Sequence, residues 1–290
     1  MSRVLIVNPF ATGVTEERLA AVRAELPKDT RLRVTTRKGQ ATEMAREAEE
    51  GTAAYVFGGD GTFNEVLNGL GPRTPVGLIP GGGTSVLPRA LGLPRDPVAV
   101  ARRVAAGDER RIGLGRVNGH RFGFGAGIGL DAEIVRAVDA LGRQPDGRRP
   151  GDLAFGWTAV RTLARQGFRI EPVLEVREHA RVAFALVSNC AAYSYAGRLA
   201  IRVAPEATFE GGLDLVAPLR LRPRELPRIL SYAFLGGDRT RSRNVLYVHD
   251  ADRLEMVCDR PLPLQADGED LGDVAEAVFE AERDAVSVLV

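Results

Sequence analysis

The chain is predicted to fold as an α/β domain with a doubly wound parallel sheet, followed by a β-sandwich. Three observations predict this. The first hundred residues alternate strand-length apolar runs with helix-length amphipathic stretches, the pattern of consecutive βαβ units. Two glycine-rich turns, Gly58-Gly59-Asp60-Gly61-Thr62 and Gly81-Gly82-Gly83-Thr84, each follow such an apolar run. Beyond Arg111 the texture changes to short apolar segments punctuated by Gly, Pro and Asp, as in antiparallel sandwiches. The expected boundary gives domains 1–112 and 113–290, with the last strand free to return to the first domain.

The elements follow in order. Val4 to Val7 is an apolar strand closed by Asn8-Pro9. Thr15 caps a helix that carries Glu16 and Glu17 in its first turn and Leu19, Val22 and Leu26 on one face, and Pro27 stops it. Leu32 to Thr35 reads as a strand and Ala41 to Glu50 as a helix ended by Gly51. Ala53 to Phe57 is the third strand, with a short helix through Leu67 after it. Pro75 to Ile79 is the fourth, and Val98 to Ala105 is helical. In the second domain, strands are expected at Phe122 to Phe124, Val173 to Val176, Val182 to Val187, Leu213 to Val216, Val245 to Val248, Leu254 to Val257 and Val286 to Val290. One helix, Leu153 to Arg165, interrupts them, and Gly142 to Gly151 reads as an exposed loop.

Composition narrows the function classes. At 44% hydrophobic, 27% charged and a formal charge of +1, the chain reads as soluble, with no global field that would attract nucleic acid. No apolar run approaches the length of a membrane span. Met1-Ser2-Arg3 leads directly into a strand, so no signal peptide is expected. Cys190 and Cys258 lack metal-ligand spacing and read as buried free thiols in a reducing cytoplasm. His120, His179 and His249 fall in no metal or triad pattern, and no G-x-x-x-x-G-K-[ST] loop exists. The alternation of Gly123, Gly125, Gly127 and Gly129 lacks a βαβ frame, so close packing explains it better than a dinucleotide fingerprint.

The turn at 58–62 is the most informative segment. Glycines let a backbone approach a ligand closely and present successive N–H groups to an anion, and a following helix N-terminus adds partial positive charge. A carboxylate among them repels phosphate unless a cation such as Mg²⁺ intervenes. The segment therefore suggests a nucleotide-phosphate site with a metal in it.

Further motifs make the chain resemble the diacylglycerol kinase catalytic-domain family, which includes bacterial lipid kinases and sphingosine kinases. Asn8-Pro9, Val34-Thr35 with Lys38-Gly39 and Ala41, and Gly58 to Thr62 with Asn64-Glu65-Val66 carry the first part of the resemblance. Pro80 to Thr84 with Arg89 and Leu91 to Pro94 carries the second, and Gly127, Gly129, Asp131, Ala132 and Asp267-Gly268-Glu269 the third. The resemblance implies that Asn8, Thr35, Gly58, Gly59, Asp60, Gly61, Thr62, Asn64, Glu65, Gly82, Gly83 and Thr84 hold ATP. Asp60 positions Mg²⁺ on this reading, with Asp131 in the metal network, and Glu65 supports that network or reaches the ribose. Glu269 is implied as acceptor of the substrate proton, with Asp267 as close partner and the two able to exchange roles. The chain departs from the family pattern at Ser85 and Gly125, where Asn is usual. It departs again at Gly211, where an Asp helps bind a structural Mg²⁺ and where Glu210 and Asp214 are candidate substitutes.

The implied activity is ATP- and Mg²⁺-dependent phosphorylation of a lipid hydroxyl, that of diacylglycerol or a related lipid, within phospholipid biosynthesis. The expected partner is a lipid at a membrane surface, with cytoplasmic localisation and peripheral contact on the inner face. A homodimer is one open assembly. Phe155, Trp157 and Leu163 are candidates for an acyl trough, although core packing also explains them. Basic clusters at Arg143, Arg148 and Arg149, at Arg220, Arg222, Arg224 and Arg228, and at Arg239, Arg241 and Arg243 are candidates for lipid contact. Two alternatives stay open: an NAD kinase-like enzyme, since GGDGT also occurs there, and a catalytically silent nucleotide- or lipid-binding member of the family.

Overall fold

The computed structural model describes residues 3–142, 152–165, 167–225 and 244–290, with the side chains of 152–155 outside that set. The chain divides into two compact units, Met1–Leu114 with Arg283–Val290, and Gly115–Glu282. Arg143, Arg148, Arg149, Arg228, Arg239, Arg241 and Arg243, with most of the expected 142–151 loop, lie outside the described residues.

In the first unit, β1 (Val4–Val7), β2 (Arg31–Val34), β3 (Ala54–Gly58) and β4 (Val76–Pro80) are all parallel, and the last strand, β16 (Glu269–Leu289), adds its end beside β4. The spatial order is β16-β4-β3-β1-β2. The helices are α1 (Glu16–Glu25), α2 (Gln40–Arg46), α3 (Asp60–Leu67), α4 (Val86–Ala90) and α5 (Pro97–Ala106). α1 packs on α5, and α2 on α3. The chain leaves β1 outward to β2 and then crosses back to β3. Right-handed crossovers of opposite direction place the connecting helices on opposite faces, the doubly wound arrangement, with its switch point between β1 and β3. β3 and β4 are buried along their whole length, as strands covered on both faces must be.

Local chemistry sets the boundaries. The Thr15 hydroxyl accepts from the Arg18 N–H and starts α1, and Asp96 does the same for α5 through Ala99. Helix α2 stops at Arg46 rather than continuing to Glu50, because Ala48 and Thr52 N–H groups turn back to Ala45 and Glu49 in tight turns. Gly51, at φ +77°, reverses the chain into β3.

The second unit is antiparallel. β7 (Gly125–Ile128), β10 (Ala185–Ser188), β13 (Leu213–Pro218), β14 (Val245–Ala251) and β15 (Arg253–Ala266) assemble with β16 in the order β14-β13-β10-β7-β15-β16. β5 (Glu109–Val117) pairs with β16 and β6 (His120–Phe122), while β8 (Leu174–Val176) pairs with β15 and β9 (Arg181–Val182). β5 and β16 each run from one unit into the other. A register shift between Val257 and Leu262 divides β15, so that its first half pairs with β8 and its second half with β7. Side chains from both halves, Leu254, Met256, Leu262 and Leu264, meet Ile128, Val176, Leu215 and Phe279 in one core, as in a sandwich. Gly115 on β5 lies under the Phe122 ring, and that ring meets Phe279 edge-on at 6.4 Å. Asn118-Gly119, both at positive φ, forms the two-residue turn between β5 and β6.

α4, β5 and β7 were not expected, nor were three further elements. A second helix, α6 (Leu130–Asp139), precedes α7 (Asp152–Arg165), and β11 (Ala192–Ala196) pairs with β12 (Leu199–Arg202) in a separate ribbon. β15 and β16 extend far beyond their apolar cores, because antiparallel pairing carries polar residues such as exposed Glu276 and half-exposed Glu280 in register. Among the described residues no helix is long and apolar enough to cross a membrane. Cys190 is buried and Cys258 half-buried. Burial pushes both thiols up, Cys190 to about 12 and Cys258 to about 11, and both are free.

Candidate functional site

The parallel register brings the strand exits of the first unit into line. Val7 pairs with Phe57, and Gly58 pairs with Pro80. Beyond these pairs, Thr35 N–H donates to the Val7 carbonyl at 2.8 Å, Asn8 N–H to Phe57 at 3.0 Å, and Gly81 N–H to Gly58 at 2.6 Å. Thr35, Asn8 and both glycine turns thus share one edge, at the carboxyl ends of the strands and beside the switch point, where sheets of this kind bind ligands.

The two turns pack backbone against backbone. A Cβ on Gly58 would lie 2.8 Å from the Thr62 side chain, and one on Gly82 would lie 3.0 Å from the Gly59 Cα. A Cβ on Gly81 would lie 2.7 Å from Val14 and 3.2 Å from the Gly58 Cα. Intramolecular sterics therefore demand glycine at 58, 81 and 82. Gly59 and Gly83 differ. A Cβ on Gly59 would meet only an ordinary contact at 3.6 Å, one on Gly83 would meet nothing within 4 Å, and neither residue has positive φ.

Polar contacts lock the edge. Asn8 Nδ2 donates to the buried Thr62 hydroxyl at 2.8 Å, while its Oδ1 accepts from Phe10 N–H at 3.0 Å. Asp60 opens α3, and its Oδ1 accepts from Val86 N–H at 2.7 Å and Leu87 N–H at 3.4 Å, so one carboxylate joins the first turn to the helix behind the second. Ser85 precedes that helix at φ +47°, a region where Asn is favoured among non-glycine residues, which accounts for the usual amide at this position. Thr84 and Gly61 lie on the same two turns.

Two expected ligand residues point elsewhere. Asn64 is 3% exposed and its Oδ1 accepts from Asn68 one turn on, inside the packing of α3. The Glu65 carboxylate accepts from Ala41 N–H at 3.1 Å and its carbonyl from the Thr42 hydroxyl at 2.8 Å. Glu65 therefore serves the N-terminus of α2, whose cap residue Gly39 has no side chain to do so.

In the second unit, the buried Asp267 carboxylate accepts from the N–H groups of Gly123, Phe124 and Gly125 at 2.6, 3.0 and 3.2 Å. Its own N–H donates to the Gly125 carbonyl. The turn carries Asp267 at φ +50° and Gly268 at φ +78°. Arg136 from α6 pairs with Asp270 through both Nε and Nη2, at 2.8 and 3.0 Å, and reaches Asp273 as well, so its guanidinium is held firmly protonated. Half-exposed Glu269 stands between these two anchored acids.

Asp131 opens α6. Its Oδ2 accepts from the Tyr193 hydroxyl at 2.5 Å and from Gln265 Nε2 at 2.7 Å. Burial raises its carboxyl, and those hydrogen bonds oppose the rise. Burial and the neighbouring Asp131 raise the Tyr193 phenol further still. Asp131 and the 267–269 turn share Gln265 as a common neighbour. Nothing in the sequence pointed to Tyr193, which lies 62 residues from Asp131 and acts through the fold alone.

Of the candidate substitutes for a structural metal ligand, Asp214 is otherwise engaged. Fully buried Asp214 accepts from the Tyr247 hydroxyl at 2.5 Å, from Asp250 N–H at 3.1 Å, and lies 2.9 Å from His249 Nδ1. Near Gly211 the Gly212 N–H donates to Asp250 at 2.6 Å. Among the described residues no group of three His, Cys, Asp or Glu side chains is arranged to hold a metal ion.

A parallel sheet with amide-rich turns at its strand exits, joined to an antiparallel unit with an anchored acidic turn, defines a class of kinase. Residues 2–117 match the diacylglycerol kinase catalytic domain, and residues 125–290 match the YegS C-terminal NAD kinase beta sandwich-like domain. A diacylglycerol kinase of Bacillus subtilis (strain 168) is 30% identical over 279 residues, covering 91% of this chain and 88% of that protein. The chain belongs to the diacylglycerol kinase catalytic-domain family, and it is a kinase. A crystal structure of a diacylglycerol kinase from Bacillus anthracis str. Sterne, described there as putative, shares the fold. Its TM-score is 0.75 at 22% identity, over 99% of this chain and 94% of that one. An NAD kinase from Archaeoglobus fulgidus, solved with ATP, shares the fold more distantly, at TM-score 0.51 and 11% identity over 99% and 93%.

The contrast between the glycines gives a direct expectation. Gly58→Ala should lose about 1–3 kcal/mol of stability to overpacking against Thr62. Gly83→Ala should stay within about 0.5 kcal/mol of the parent in urea unfolding. Equal losses in both variants would contradict the packing described.

Proposed function

We propose that the chain transfers the γ-phosphoryl group of ATP, with Mg²⁺, to the hydroxyl of a lipid, diacylglycerol or a related lipid. The observation that carries the donor side is that Gly59 and Gly83 are glycines without an internal reason, on an amide-rich edge at the switch point. Close approach of a phosphate chain supplies that reason. The names of the relatives support the lipid acceptor.

The chain's own groups divide the work. N–H groups of the two turns hold phosphate oxygens, and the Asn8–Thr62 bond keeps the first turn in shape. Asp60 would hold Mg²⁺: a hard carboxylate oxygen at the turn suits an ion that binds through one or two carboxylates and the substrate phosphates. When bound, Mg²⁺ neutralises charge on the phosphates. Asn64 and Glu65 support the helices behind the edge instead of touching the nucleotide.

On the acceptor side, Glu269 takes the proton of the lipid hydroxyl. The hydroxyl oxygen forms a bond to the γ-phosphorus while the bond from that phosphorus to the bridging oxygen breaks, and ADP departs with the electron pair. Asp267 holds the turn, because its oxygens are committed to three backbone N–H groups. An exchange of roles with Glu269 is therefore disfavoured.

Incubation with labelled ATP, Mg²⁺ and a total lipid extract should yield a labelled phospholipid. Label on NAD instead, or ATP binding with no transfer, would overturn this reading. Glu269→Gln should lower turnover by about 100-fold or more while ATP affinity stays within about twofold.

The membrane contact is proposed from α7. Trp157 is 70% exposed and Val160 48% exposed, with exposed Arg161 one residue on and Arg165 in the next turn. An aromatic and aliphatic face edged by arginine suits the interface of an anionic bilayer, at about 1 kcal/mol per basic residue near the surface. Leu163 packs inward near Leu130 and Phe184, so it is core and not trough. The Phe155 side chain lies outside the described residues. Trp157 is the only tryptophan of the chain, so its emission reports directly. Phosphatidylglycerol vesicles should shift that emission to shorter wavelength at physiological salt, and an unchanged spectrum would contradict the contact.

A further inference from the structure

We infer that Tyr193 and Gln265 are positioning residues for the acceptor-side turn, fixing which end of the Gln265 amide meets Gly268 and hence where Glu269 stands. The catalytic part of this inference rests on the proposed role of Glu269.

An amide side chain has a donating end and an accepting end, and a buried one is held only where both meet complementary groups. Gln265 is 1% exposed. Its Nε2 donates to Asp131 Oδ2 at 2.7 Å and to the Tyr193 oxygen at 2.9 Å, and its Oε1 accepts from Gly268 N–H at 2.9 Å. Rotating the amide by half a turn would set oxygen against the Asp131 carboxylate and NH₂ against the Gly268 N–H. Both contacts would be repulsive, so Asp131 and Tyr193 dictate the orientation that holds the turn.

Tyr193 has a second part in this. Its hydroxyl proton goes to Asp131, which leaves its oxygen able to accept from Gln265. The glycines of β7 make room for the arrangement. A Cβ on Gly127 would lie 2.2 Å from Asp131 Oδ2, and one on Gly125 would lie 3.1 Å from the Tyr193 ring. Gly125 is thus needed because a tyrosine ring lies against it.

The turn is accordingly fixed at three successive points. Asp267 is bound to the amides of 123–125, Gly268 to Gln265, and Asp270 to Arg136. Of the three, the Gly268 contact is the one made through Gln265, whose orientation Asp131 and Tyr193 set. Removing it would take away one hold on the turn between the other two anchors, where Glu269 begins β16 opposite Ala266.

The test uses the full chain with Tyr193→Phe, Gln265→Met and Gly125→Ala, read by amide hydrogen exchange and by steady-state kinetics. In Gln265→Met the Gly268 amide should exchange at least about tenfold faster, with the rest of the sandwich unchanged. All three variants should lose about tenfold or more in kcat on the lipid while KM for ATP holds, the signature of a displaced acceptor-side group. Unchanged exchange at Gly268 would overturn the inference, and so would faster exchange with parental kcat. Should Gln265→Met loosen the whole sandwich, Tyr193→Phe, which keeps the ring, decides by the same kinetic criterion. A wild-type chain that phosphorylates no lipid would count against the proposed function alone, and the exchange result would still decide the placement of the turn.

Discussion

The first unit depends on two glycine turns that touch through their main chains. The Gly58 carbonyl accepts from Gly81 N–H, and Gly82 lies against Gly59, so a side chain at 58, 81 or 82 would push the turns apart. That contact brings the exits of β3 and β4 close enough for one carboxylate, Asp60, to close the arrangement by capping α4. The consequence is a strip of backbone held without flexible side chains. Preorganised main-chain donors cost little reorganisation when a charged ligand arrives, which is why such strips serve phosphate chemistry well.

The second unit solves a different problem with the same economy of parts. Here the acids are mostly braces. Asp267 gathers three N–H groups, Asp214 takes two hydroxyl or imidazole partners and a backbone amide, and Asp270 pairs with Arg136. A carboxylate engaged in this way fixes geometry. Glu269, the acid given the chemical role in the proposed function, lies between Asp267 and Asp270. Asp131 sits between these extremes, since its buried position opposes its charge and two side chains defend it.

Much of this was legible in the sequence where information is local. The alternation of apolar and amphipathic stretches identified the parallel sheet, and the glycine turns marked the edge they share, because turn residues and periodicity act over a few positions. What stayed hidden was set by partners distant along the chain. Glu65 reads as a ligand beside Gly61 and Thr62, yet its carboxylate belongs to α2, 24 residues earlier. Asp267-Gly268-Glu269 shows two acids able to exchange roles, and the amides of 123–125 that engage Asp267 lie more than 140 residues earlier. The glycine alternation from 123 to 129 signalled close packing, but nothing announced that Asp131 and Tyr193 were what packed there. Asn118-Gly119 was a readable hairpin signal, and the strands beside it are polar enough to conceal it.

The central claim is that the strip formed by the two turns binds the phosphates of MgATP. Amide resonances of the ¹⁵N-labelled chain, followed as MgATP is added, test it most directly. The account predicts that Gly59, Gly61, Gly83 and Thr84 shift together and saturably, and that withholding Mg²⁺ weakens the response at Asp60 and its neighbours. Saturable shifts confined to other parts of the chain, with these residues unmoved, would contradict it.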